Sequence, residues 1–386
     1  MAQPLNKPDL PAHLASFADF REGARRRMPH FAFEYLDGGI GRDIGLARNY
    51  SSLDRVLLTP RTVDEGVSPD TSVEILGETA AYPFGVAPVG MGGLFHPQSA
   101  PALAKKSAAL NLPFCLSFVA SHSVEAICAA AGGKAPWHQF YWPRPLDVQD
   151  DIIARMKALG VKVLMPTLDI PGQQWRERTV RAGVAAKPSP LVLARDLAVR
   201  PRWSLETLRY GKPGLPNINT YSGGGTAEAE QWLLQNCLRP IGPEEIKRLR
   251  DKWDGQIVVK GVMDAQDAED FVRVGVDGIV VSNHGGRQLD AAPGTADLLP
   301  PIVDAVKGKT AILVDGGVTD GLDILKLMRL GADFVMVGRM PYYACGALGA
   351  RGAAVLDLLA LQVRTVMVQL GVRNFDELMK LKMDIA

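Results

Sequence analysis

Residues 256–286, QIVVKGVMDAQDAEDFVRVGVDGIVVSNHGG, carry the pattern that decides the fold. Two short β-branched runs, at 256–260 and 278–283, flank a segment that begins with acidic residues and ends at a glycine. This order predicts a buried strand, a capped amphipathic helix and a second buried strand. Such a unit builds a parallel sheet in which the helix is the crossover connection.

The same alternation recurs along the chain. Eight apolar runs are separated by segments of helical character, for example at 97–111 and 123–132. Eight parallel strands favour a closed (β/α)8 TIM barrel over an open doubly wound sheet. The predicted strands are 83–87, 113–117, 137–141, 162–167, 256–260, 278–283, 311–316 and 334–338.

The pattern predicts a single domain over 1–386. An N-terminal cap, partly helical around 15–36, fills 1–80, and the barrel fills 81–386. The connection at about 168–255 exceeds the usual crossover length, so we expect an insertion that includes a lid. Within it, 191–212 favours a solvated helix on the barrel rim, and a helix lying on an anionic membrane surface also fits. The basic residues of that stretch are Arg195, Arg200, Arg202, Arg209 and Lys212.

Charge and composition narrow the class of protein. The 386 residues include 43 Lys plus Arg and 42 Asp plus Glu, so no global field favours binding of nucleic acid. The four cysteines have neither a CxxC pair nor metal-ligand spacing, which indicates thiols in a reducing compartment and no metal site. With no signal-peptide pattern and no apolar run long enough for a bilayer, we expect a cytoplasmic protein. Peripheral contact with the inner face of the cell membrane stays open.

Polar residues and glycines follow all eight predicted strands. Because the carboxyl ends of barrel strands meet at one face, we expect these residues to form one site. The glycines after the last two strands suggest a phosphate site, although tight turns alone would explain them. In strand order the residues are Pro88, Val89 and Gly90; Ser117; Gln139 and Tyr141; Thr167 and Asp169; Lys260; Ser282, His284 and Arg287; Asp315, Gly316 and Gly317; and Gly338 and Arg339.

Four of these side chains point to redox chemistry on a carboxylic acid. His284 titrates near neutral pH and is the candidate base, with Asp169 as the group that orients it. Arg287 can hold a carboxylate through a planar two-pronged contact. Lys260 lies in an apolar run, where its ammonium needs a partner such as a negatively charged flavin or a structural ion pair.

In these residues, the chain resembles the FMN-dependent 2-hydroxy acid oxidases and dehydrogenases. The most specific motif is SNHGGRQLD at 282–290, supported by VVKGV at 258–262 and DGGV at 315–318. The resemblance runs from FAFEYLDGG at 31–39 to the final helices. It implies FMN as cofactor, oxidation of an S-2-hydroxy acid to the 2-oxo acid, and a quinone, a cytochrome or oxygen as electron acceptor. It also implies a homo-oligomer, a tetramer in this family.

The resemblance also implies a role for each motif residue. His284 is the base, Asp169 its partner, and Tyr141 a contact to the substrate hydroxyl. Arg287, Tyr35 and Arg176 hold the substrate carboxylate, with Arg178 as the alternative to Arg176. The FMN contacts are Pro88, Val89, Gly90, Ser117, Gln139, Thr167, Lys260, Ser282, Asp315, Gly316, Gly317, Gly338 and Arg339.

Two features separate this chain from parts of the family. Thr319 and Asp320 stand where the family usually has arginines, so we expect weaker FMN retention unless another cation substitutes. Gly90 stands where oxygen-using members tend to have alanine, which favours a dehydrogenase that reduces a quinone or a similar acceptor. Phe118, Val119, Met91 and the insertion are expected to shape the substrate pocket.

Three alternative functions stay open at the level of sequence. The protein could be an oxygen-using 2-hydroxy acid oxidase. It could also be an FMN enzyme with another reaction, such as an isomerase or an oxidase of a modified peptide. A non-catalytic binder of flavin or metabolite is the least favoured, because a base, a clamp and an orienting acid are all present.

Overall fold

The computed structural model describes residues 8–62, 68–183, 194 and 197–386. Its strands are short and mostly buried on both faces, as expected for a parallel sheet covered by helices. In chain order they are β1 (Val56–Leu58), β2 (Val73–Ile75), β3 (Glu78–Ala80), β4 (Phe84–Val86), β5 (Cys115–Leu116), β6 (Trp137–Phe140), β7 (Val163–Pro166), β8 (Gln256–Val262), β9 (Gly278–Val281), β10 (Ala311–Asp315), β11 (Phe334–Val337) and β12 (Met383–Ile385).

Strands β4 to β11 form the closed barrel. They pair in parallel in the order β4-β11-β10-β9-β8-β7-β6-β5, and a parallel bridge between Val86 and Phe114 joins the two ends of this sheet. All eight predicted strands are present, most of them a residue or more shorter than predicted. The (β/α)8 TIM barrel is therefore confirmed.

The helices surround the barrel. Several begin at a side-chain cap: Ser123, Asp264 and Asp320 each accept a hydrogen bond from a backbone N–H of the first turn. The helices of the described residues are α1 (Phe17–Arg27), α2 (His30–Asp37), α3 (Ile44–Asp54), α4 (Ser99–Ala109), α5 (Val124–Ala130), α6 (Leu146–Ala158), α7 (Glu177–Arg181), α8 (Pro201–Tyr210), α9 (Pro216–Ser222), α10 (Thr226–Asn236), α11 (Pro243–Arg250), α12 (Ala265–Arg273), α13 (Thr295–Val306), α14 (Gly321–Arg329), α15 (Arg339–Leu348), α16 (Val355–Leu370) and α17 (Phe375–Met379); short 3-10 turns cover Gly92–Leu94 and Gly349–Ala354.

The N-terminal segment before β4 is more ordered than its sequence suggests. The helical stretch predicted around 15–36 is two helices, α1 and α2, separated at Pro29. A third helix, α3, packs against α13 and α14, and β1 pairs with β12 from the other end of the chain. The strands β2 and β3 form an antiparallel hairpin. These elements bring α2 and α3 to the carboxyl end of the barrel.

The insertion after β7 holds α7 to α11 in its described part. The side chain of Trp203 on α8 is buried, and its indole N–H donates to the carbonyl of Leu94 at 2.8 Å. Glu206 on the same helix pairs with Arg27 at 2.5 Å. The helix predicted within 191–212 thus lies on the barrel rim over Pro201–Tyr210, while Arg195 lies outside the described residues.

Residues Arg339–Leu370 are long and apolar enough to cross a membrane by length and composition alone. The apolar runs of the sequence predicted no such segment. This stretch comprises α15, a 3-10 turn and α16, and the side chains of Tyr343, Leu359 and Val363 are fully or almost fully buried in the core. Its apolar character is therefore accounted for by packing within the protein.

Candidate active site

A cleft opens at the carboxyl ends of the barrel strands. It encloses about 990 Å³, including space open to solvent, which suits a cofactor together with a small substrate. Residues from seven of the eight strand ends line it, together with side chains from the N-terminal segment. The predicted site residues on its wall are Tyr35, Pro88, Val89, Gly90, Ser117, Gln139, Tyr141, Arg176, Lys260, His284, Arg287, Asp315, Gly316, Gly317, Gly338 and Arg339.

His284 and Asp169 form a pair at the middle of the cleft. Nδ1 of His284 lies 2.8 Å from Oδ1 of Asp169, whose side chain is buried behind the imidazole. Burial opposes ionisation of Asp169, but the charges of His284 and Lys260 leave the pKa of the carboxyl below its ordinary value. Because an ionised carboxylate only accepts, Nδ1 carries the proton and Nε2 is the basic atom. Burial lowers the pKa of His284 against the opposing effect of Asp169, so the imidazole is neutral at pH 7.

The backbone around His284 adopts an unusual conformation. His284 has a φ of 55°, and the two glycines after it are also in the left-handed region. A Cβ on Gly286 would overlap the backbone of Leu46 in α3, so only glycine allows this approach. A non-glycine residue held at positive φ costs free energy and is typical of functional sites. Gly261 lies beneath the pair, where a Cβ would be 2.7 Å from the Asp169 side chain.

Three arginines of the cleft form no ion pair with a carboxylate of the described residues. Arg287 donates to the carbonyl of Gly38 and lies 5.5 Å from the Tyr35 ring centre. Arg176 donates to the Arg287 carbonyl and to the side chain of Gln288, and Arg339 donates to two carbonyls. Burial, Arg176 and Arg339 lower the pKa of Arg287. We call these three residues the unpaired arginine cluster; no described carboxylate neutralises them, so they can hold an anion.

Arg178 has a different environment. Its guanidinium contacts three carboxylates, those of Glu34, Asp37 and Asp43, at 2.6 to 2.8 Å. The structure therefore places Arg176 on the cleft wall and Arg178 in the ion pairs that support α2. The sequence left the choice between these two residues open.

Lys260 crosses the floor of the cleft. Its ammonium contacts the Ser282 hydroxyl at 2.7 Å and the Asp315 carboxylate at 3.0 Å. Burial opposes its charge, but Asp315 and Asp169 raise the pKa of Lys260. Lys260 is thus a charged residue that both takes part in an ion pair and faces the cleft.

Two predicted cofactor contacts lie behind the wall of the cleft. Thr167 accepts a hydrogen bond from the Gln139 amide at 3.0 Å, and Ser282 accepts one from Lys260. Ser117 donates to the other end of the Gln139 amide at 2.7 Å. Thr167 and Ser282 are fully buried, and these hydrogen bonds orient residues of the wall. Each hydroxyl accepts in these bonds, so its own proton can still be donated.

One end of the cleft is lined by the loop after β10 and the start of α15, and we call it the phosphate end because its glycines suggested a phosphate site. Gly316 and Gly317 both have positive φ, and a Cβ on Gly317 would overlap the Asn49 carbonyl oxygen. Thr319 and Asp320 do not line this end. Thr319 donates to the Asp323 carboxylate at 2.7 Å and Asp320 caps α14, so both side chains are engaged by that helix.

Some cleft residues were not among the site residues named from the sequence. Most are apolar or aromatic and carry no chemical signal, some come from the N-terminal segment, and Gly285 and Val318 lie within the quoted motifs. Conversely, Phe118 and Met91, expected to shape the pocket, are absent from its wall, since Phe118 packs behind it on Tyr141 and His138. Val119 lines it as expected. The additional residues are Phe17, Leu36, Tyr50, Ala87, Phe95, Gly285, Val318 and Met336.

The residues of the cleft fit FMN. The buried Oδ1 of Asp315 has no hydrogen-bond partner among the described residues, and a hydroxyl of the cofactor's sugar chain can donate to it. Gly316, Gly317 and the first turn of α15 offer backbone N–H groups to a phosphate, with Arg339 beside them. Lys260 and Gln139 line the same cleft as His284 and offer hydrogen-bond donors to the polar edge of a flavin ring.

This barrel, with its His–Asp pair, unpaired arginine cluster and phosphate end, defines a flavin-dependent oxidoreductase. The chain belongs to the family of FMN-dependent 2-hydroxy acid oxidases and dehydrogenases: the family model described as FMN-dependent dehydrogenase matches residues 24–384. It is therefore an FMN-dependent 2-hydroxy acid oxidoreductase.

Curated relatives and solved structures agree with this assignment. The chain is 37% identical to the L-lactate dehydrogenase of Ectopseudomonas mendocina over 95% of its length and 97% of the relative's. It is 38% identical to the L-lactate dehydrogenase of Haemophilus influenzae over 92% of its length and 94% of the relative's. A structure of mandelate oxidase with (S)-4-hydroxymandelic acid has a TM-score of 0.83 and 32% identity, covering 96% of this chain and 99% of that one.

Proposed function

We propose that the protein oxidises a lactate- or mandelate-like S-2-hydroxy acid to the 2-oxo acid, with His284 as the base. The observation that carries the proposal is the unpaired arginine cluster beside the neutral imidazole of His284. A substrate with a carboxylate and a neighbouring hydroxyl can bind the arginines through its carboxylate and place its hydroxyl at the imidazole. The names of the relatives, L-lactate dehydrogenase and mandelate oxidase, support the substrate class.

The carboxylate of the substrate would bind to Arg287, Arg176 and Tyr35. Arg287 is the main carboxylate ligand because it is partly buried in the cleft and no described carboxylate neutralises it. Its planar guanidinium can make two parallel hydrogen bonds to a carboxylate. Arg176 and the Tyr35 hydroxyl add contacts from the neighbouring wall.

His284 would take the proton that the substrate loses. Its Nδ1–H is held by Asp169, so the lone pair of Nε2 is available, and Asp169 stabilises the imidazolium that forms. Tyr141 faces the same space, and burial raises the pKa of its phenol, so it can donate a hydrogen bond to the substrate hydroxyl. A base at this position can remove either the hydroxyl proton or the carbon-bound proton, so it suits both possible routes.

The cofactor would lie along the floor of the cleft. Bound FMN supplies the two-electron acceptor for the substrate. Pro88, Val89 and Gly90 would support the ring, with Gln139 and Lys260 at its polar edge. The phosphate would bind to the backbone of Gly316, Gly317 and Gly338 and to Arg339.

We propose a quinone or a cytochrome as the electron acceptor, with oxygen as the alternative. Gly90 supports this proposal, because a Cβ at this position would lie 2.5 Å from Cγ2 of Val119 and 3.4 Å from the Tyr35 hydroxyl. The packing of Val119 therefore keeps residue 90 a glycine, the residue that the family resemblance associates with dehydrogenases.

We propose that α8 contacts the cytoplasmic face of the membrane. Leu205 and Leu208 are 66% and 83% exposed, although large apolar side chains usually avoid water. Arg202 and Arg209 flank them, while Glu206, the only acid of the helix, points toward Arg27. Binding to phosphatidylglycerol vesicles should weaken in the double variant Leu205→Gln/Leu208→Gln. It should stay unchanged in the control Leu146→Gln, which alters an exposed leucine on α6. Equal binding by the unmodified protein and both variants would contradict this contact.

By the family resemblance, we further propose that the protein assembles as a homotetramer in the cytoplasm. Light scattering on the purified protein measures the mass of the particle directly. A particle four times the mass of the chain is expected, and a monomer would contradict the proposal.

The experiment that tests the function is anaerobic mixing with a panel of 2-hydroxy acids, followed by reoxidation. Lactate-like or mandelate-like S-acids should bleach the flavin absorbance, whereas their R-enantiomers and acids that lack the 2-hydroxyl should not. A quinone analogue should then restore the absorbance faster than oxygen does. No bleaching by any acid of the panel would contradict the proposed reaction.

A further inference from the structure

The loop after β10 offers the phosphate end of the cleft no side-chain donor. Thr319 bonds to the Asp323 carboxylate through its backbone N–H at 2.8 Å and its hydroxyl at 2.7 Å. Asp320 accepts from the backbone N–H of Asp323 at 3.0 Å. Of the loop residues 316–320, only Gly316, Gly317 and Val318 line the cleft. Side-chain donors for a phosphate must therefore come from other elements.

Arg339 is one such donor, but part of its guanidinium is already used. Its Nε–H donates to the Leu36 carbonyl at 3.1 Å, and one N–H of Nη2 donates to the Gly285 carbonyl at 2.8 Å. Three N–H bonds are left for other acceptors, because a guanidinium has five donors. Arg339 is thus held in place by the protein with some of its donors free.

Helix α3 brings a second donor to the same end. Asn49 packs against the glycine loop: a Cβ on Gly317 would overlap its carbonyl oxygen, and a Cβ on Gly316 would lie 3.3 Å from its Oδ1. A reciprocal amide pair with Asn283, at 2.8 and 2.9 Å, fixes Asn49. The next residue, Tyr50, lines the cleft, and its ring centre lies 6.1 Å from that of Phe17.

The Tyr50 hydroxyl and the Arg339 guanidinium line the same cleft. An arginine only donates hydrogen bonds, so toward Arg339 the hydroxyl can act only as an acceptor, and its own proton stays available to another group. Burial raises the pKa of Tyr50, with Arg339 in opposition, so the phenol keeps its proton at neutral pH. A protonated phenol beside a guanidinium is a donor for an anion.

We propose that Tyr50 is a cofactor-positioning residue whose hydroxyl donates to the phosphate of FMN next to Arg339. The protein would thereby distinguish FMN from riboflavin, which lacks the phosphate, through a residue of the N-terminal segment. This inference rests on the phosphate placement of the proposed function. It assigns to Tyr50 a contact that the loop at Thr319 and Asp320 does not make.

The test compares the affinities of the full-length, flavin-stripped protein for FMN and for riboflavin, measured by quenching of flavin fluorescence. Tyr50→Phe removes only the hydroxyl, so its FMN affinity should fall about tenfold while its riboflavin affinity stays unchanged, since a hydrogen bond to a charged group is lost. Tyr82→Phe, a partly buried tyrosine that packs on Phe84 away from the cleft, should change neither affinity. An unchanged ratio of the two affinities in Tyr50→Phe would overturn the proposal.

Arg339→Gln separates failure of this inference from failure of the phosphate placement. If the placement is right, Arg339→Gln lowers the ratio of FMN to riboflavin affinity whatever Tyr50 does. A lower ratio in Arg339→Gln with an unchanged ratio in Tyr50→Phe would reject Tyr50 alone. Unchanged ratios in both variants would reject the phosphate placement as well. An equal loss of both flavins in Tyr50→Phe would indicate a merely structural role and also overturn the proposal.

Discussion

Two groups of arginines on the same side of the barrel have opposite environments. Arg178 shares the Asp37 carboxylate with Arg21, and Tyr343 donates a hydrogen bond to the same carboxylate at 2.6 Å. We call Arg21 and Arg178 the paired arginine cluster. Arg176, only two residues before Arg178, belongs to the unpaired arginine cluster in the cleft. The paired cluster contains its own counter-charges, whereas the unpaired one needs them from a ligand.

The difference separates residues that hold the fold from residues that serve the ligand. The paired cluster fixes the end of α2, the helix that carries Tyr35. The backbone carbonyls of Leu36 and Gly38, at the same helix end, then hold Arg339 and Arg287 of the unpaired cluster. A partly buried guanidinium without a carboxylate costs folding free energy, so the unpaired cluster supports the anion binding proposed above.

The largest effect is expected for Arg287→Met. Loss of the main partner of the substrate carboxylate should lower kcat/KM by about 10²–10³-fold, because a two-pronged charged contact inside the cleft is lost. Thermal unfolding of the variant should occur at the same temperature or higher, because a partly buried charge near two like charges is removed. A lower unfolding temperature with unchanged kcat/KM would place Arg287 in the paired class and contradict this distinction.

Arg178→Met should give the reverse result. It leaves Glu34 and Asp43 without their arginine, so we expect a loss of about 2–3 kcal/mol in the free energy of unfolding, less than for a fully buried pair because Arg178 is partly exposed. Denaturant titration measures this loss. The kcat/KM of the folded protein should fall far less than in Arg287→Met, and a comparable fall would show that both arginines serve the substrate.

Acid should weaken the paired cluster through Asp37. Burial opposes ionisation of this carboxyl, but Arg21, Tyr343 and Arg178 lower its pKa to about 2 from an ordinary 3.8. A lowered folded-state pKa contributes stability above pH 4 that is lost as the pH falls toward 2, here about 2 kcal/mol. Asp37→Asn should be less stable at neutral pH and lose this part of the acid dependence. An identical acid dependence in both proteins would refute the role of Asp37.

Arg176→Met should have the smallest of these effects. Arg176 is partly exposed and already bonded to Gln288 and the Arg287 carbonyl, so we expect a fall of about tenfold in kcat/KM, mainly through KM. Steady-state kinetics over the same acids checks this value. A loss as large as that of Arg287→Met would mean that the two arginines act as equal clamps.

The sequence predicted the barrel and most of the cleft because both follow from local signals. Strand ends of a parallel barrel converge, so His284 and Asp169 could be placed together from separate loops. Local signals did not reveal the pairing of β1 with β12, two three-residue strands at distant points of the chain. They also did not separate Arg176 from Arg178, since that choice depends on three carboxylates that helix packing brings near.

The aromatic part of the cleft was missed for a similar reason. Tyr50 and Phe95 carry no motif, and they reach the cleft because α3 packs on the glycine loop and because the segment after Gly90 turns back over Tyr35. Thr319 and Asp320 were expected to weaken FMN binding, because they stand where the family usually has arginines. The structure shows that both side chains are engaged by α14.

The central claim is that His284 is the base beside an anion site, and anaerobic flavin reduction tests it most directly. The protein and His284→Ala, each with FMN bound, are mixed with the S-2-hydroxy acid that proves active. The protein should bleach and His284→Ala should keep its oxidised flavin spectrum, with a rate about 10²–10⁴-fold lower or undetectable. Bleaching of His284→Ala at the rate of the unmodified protein would contradict the account.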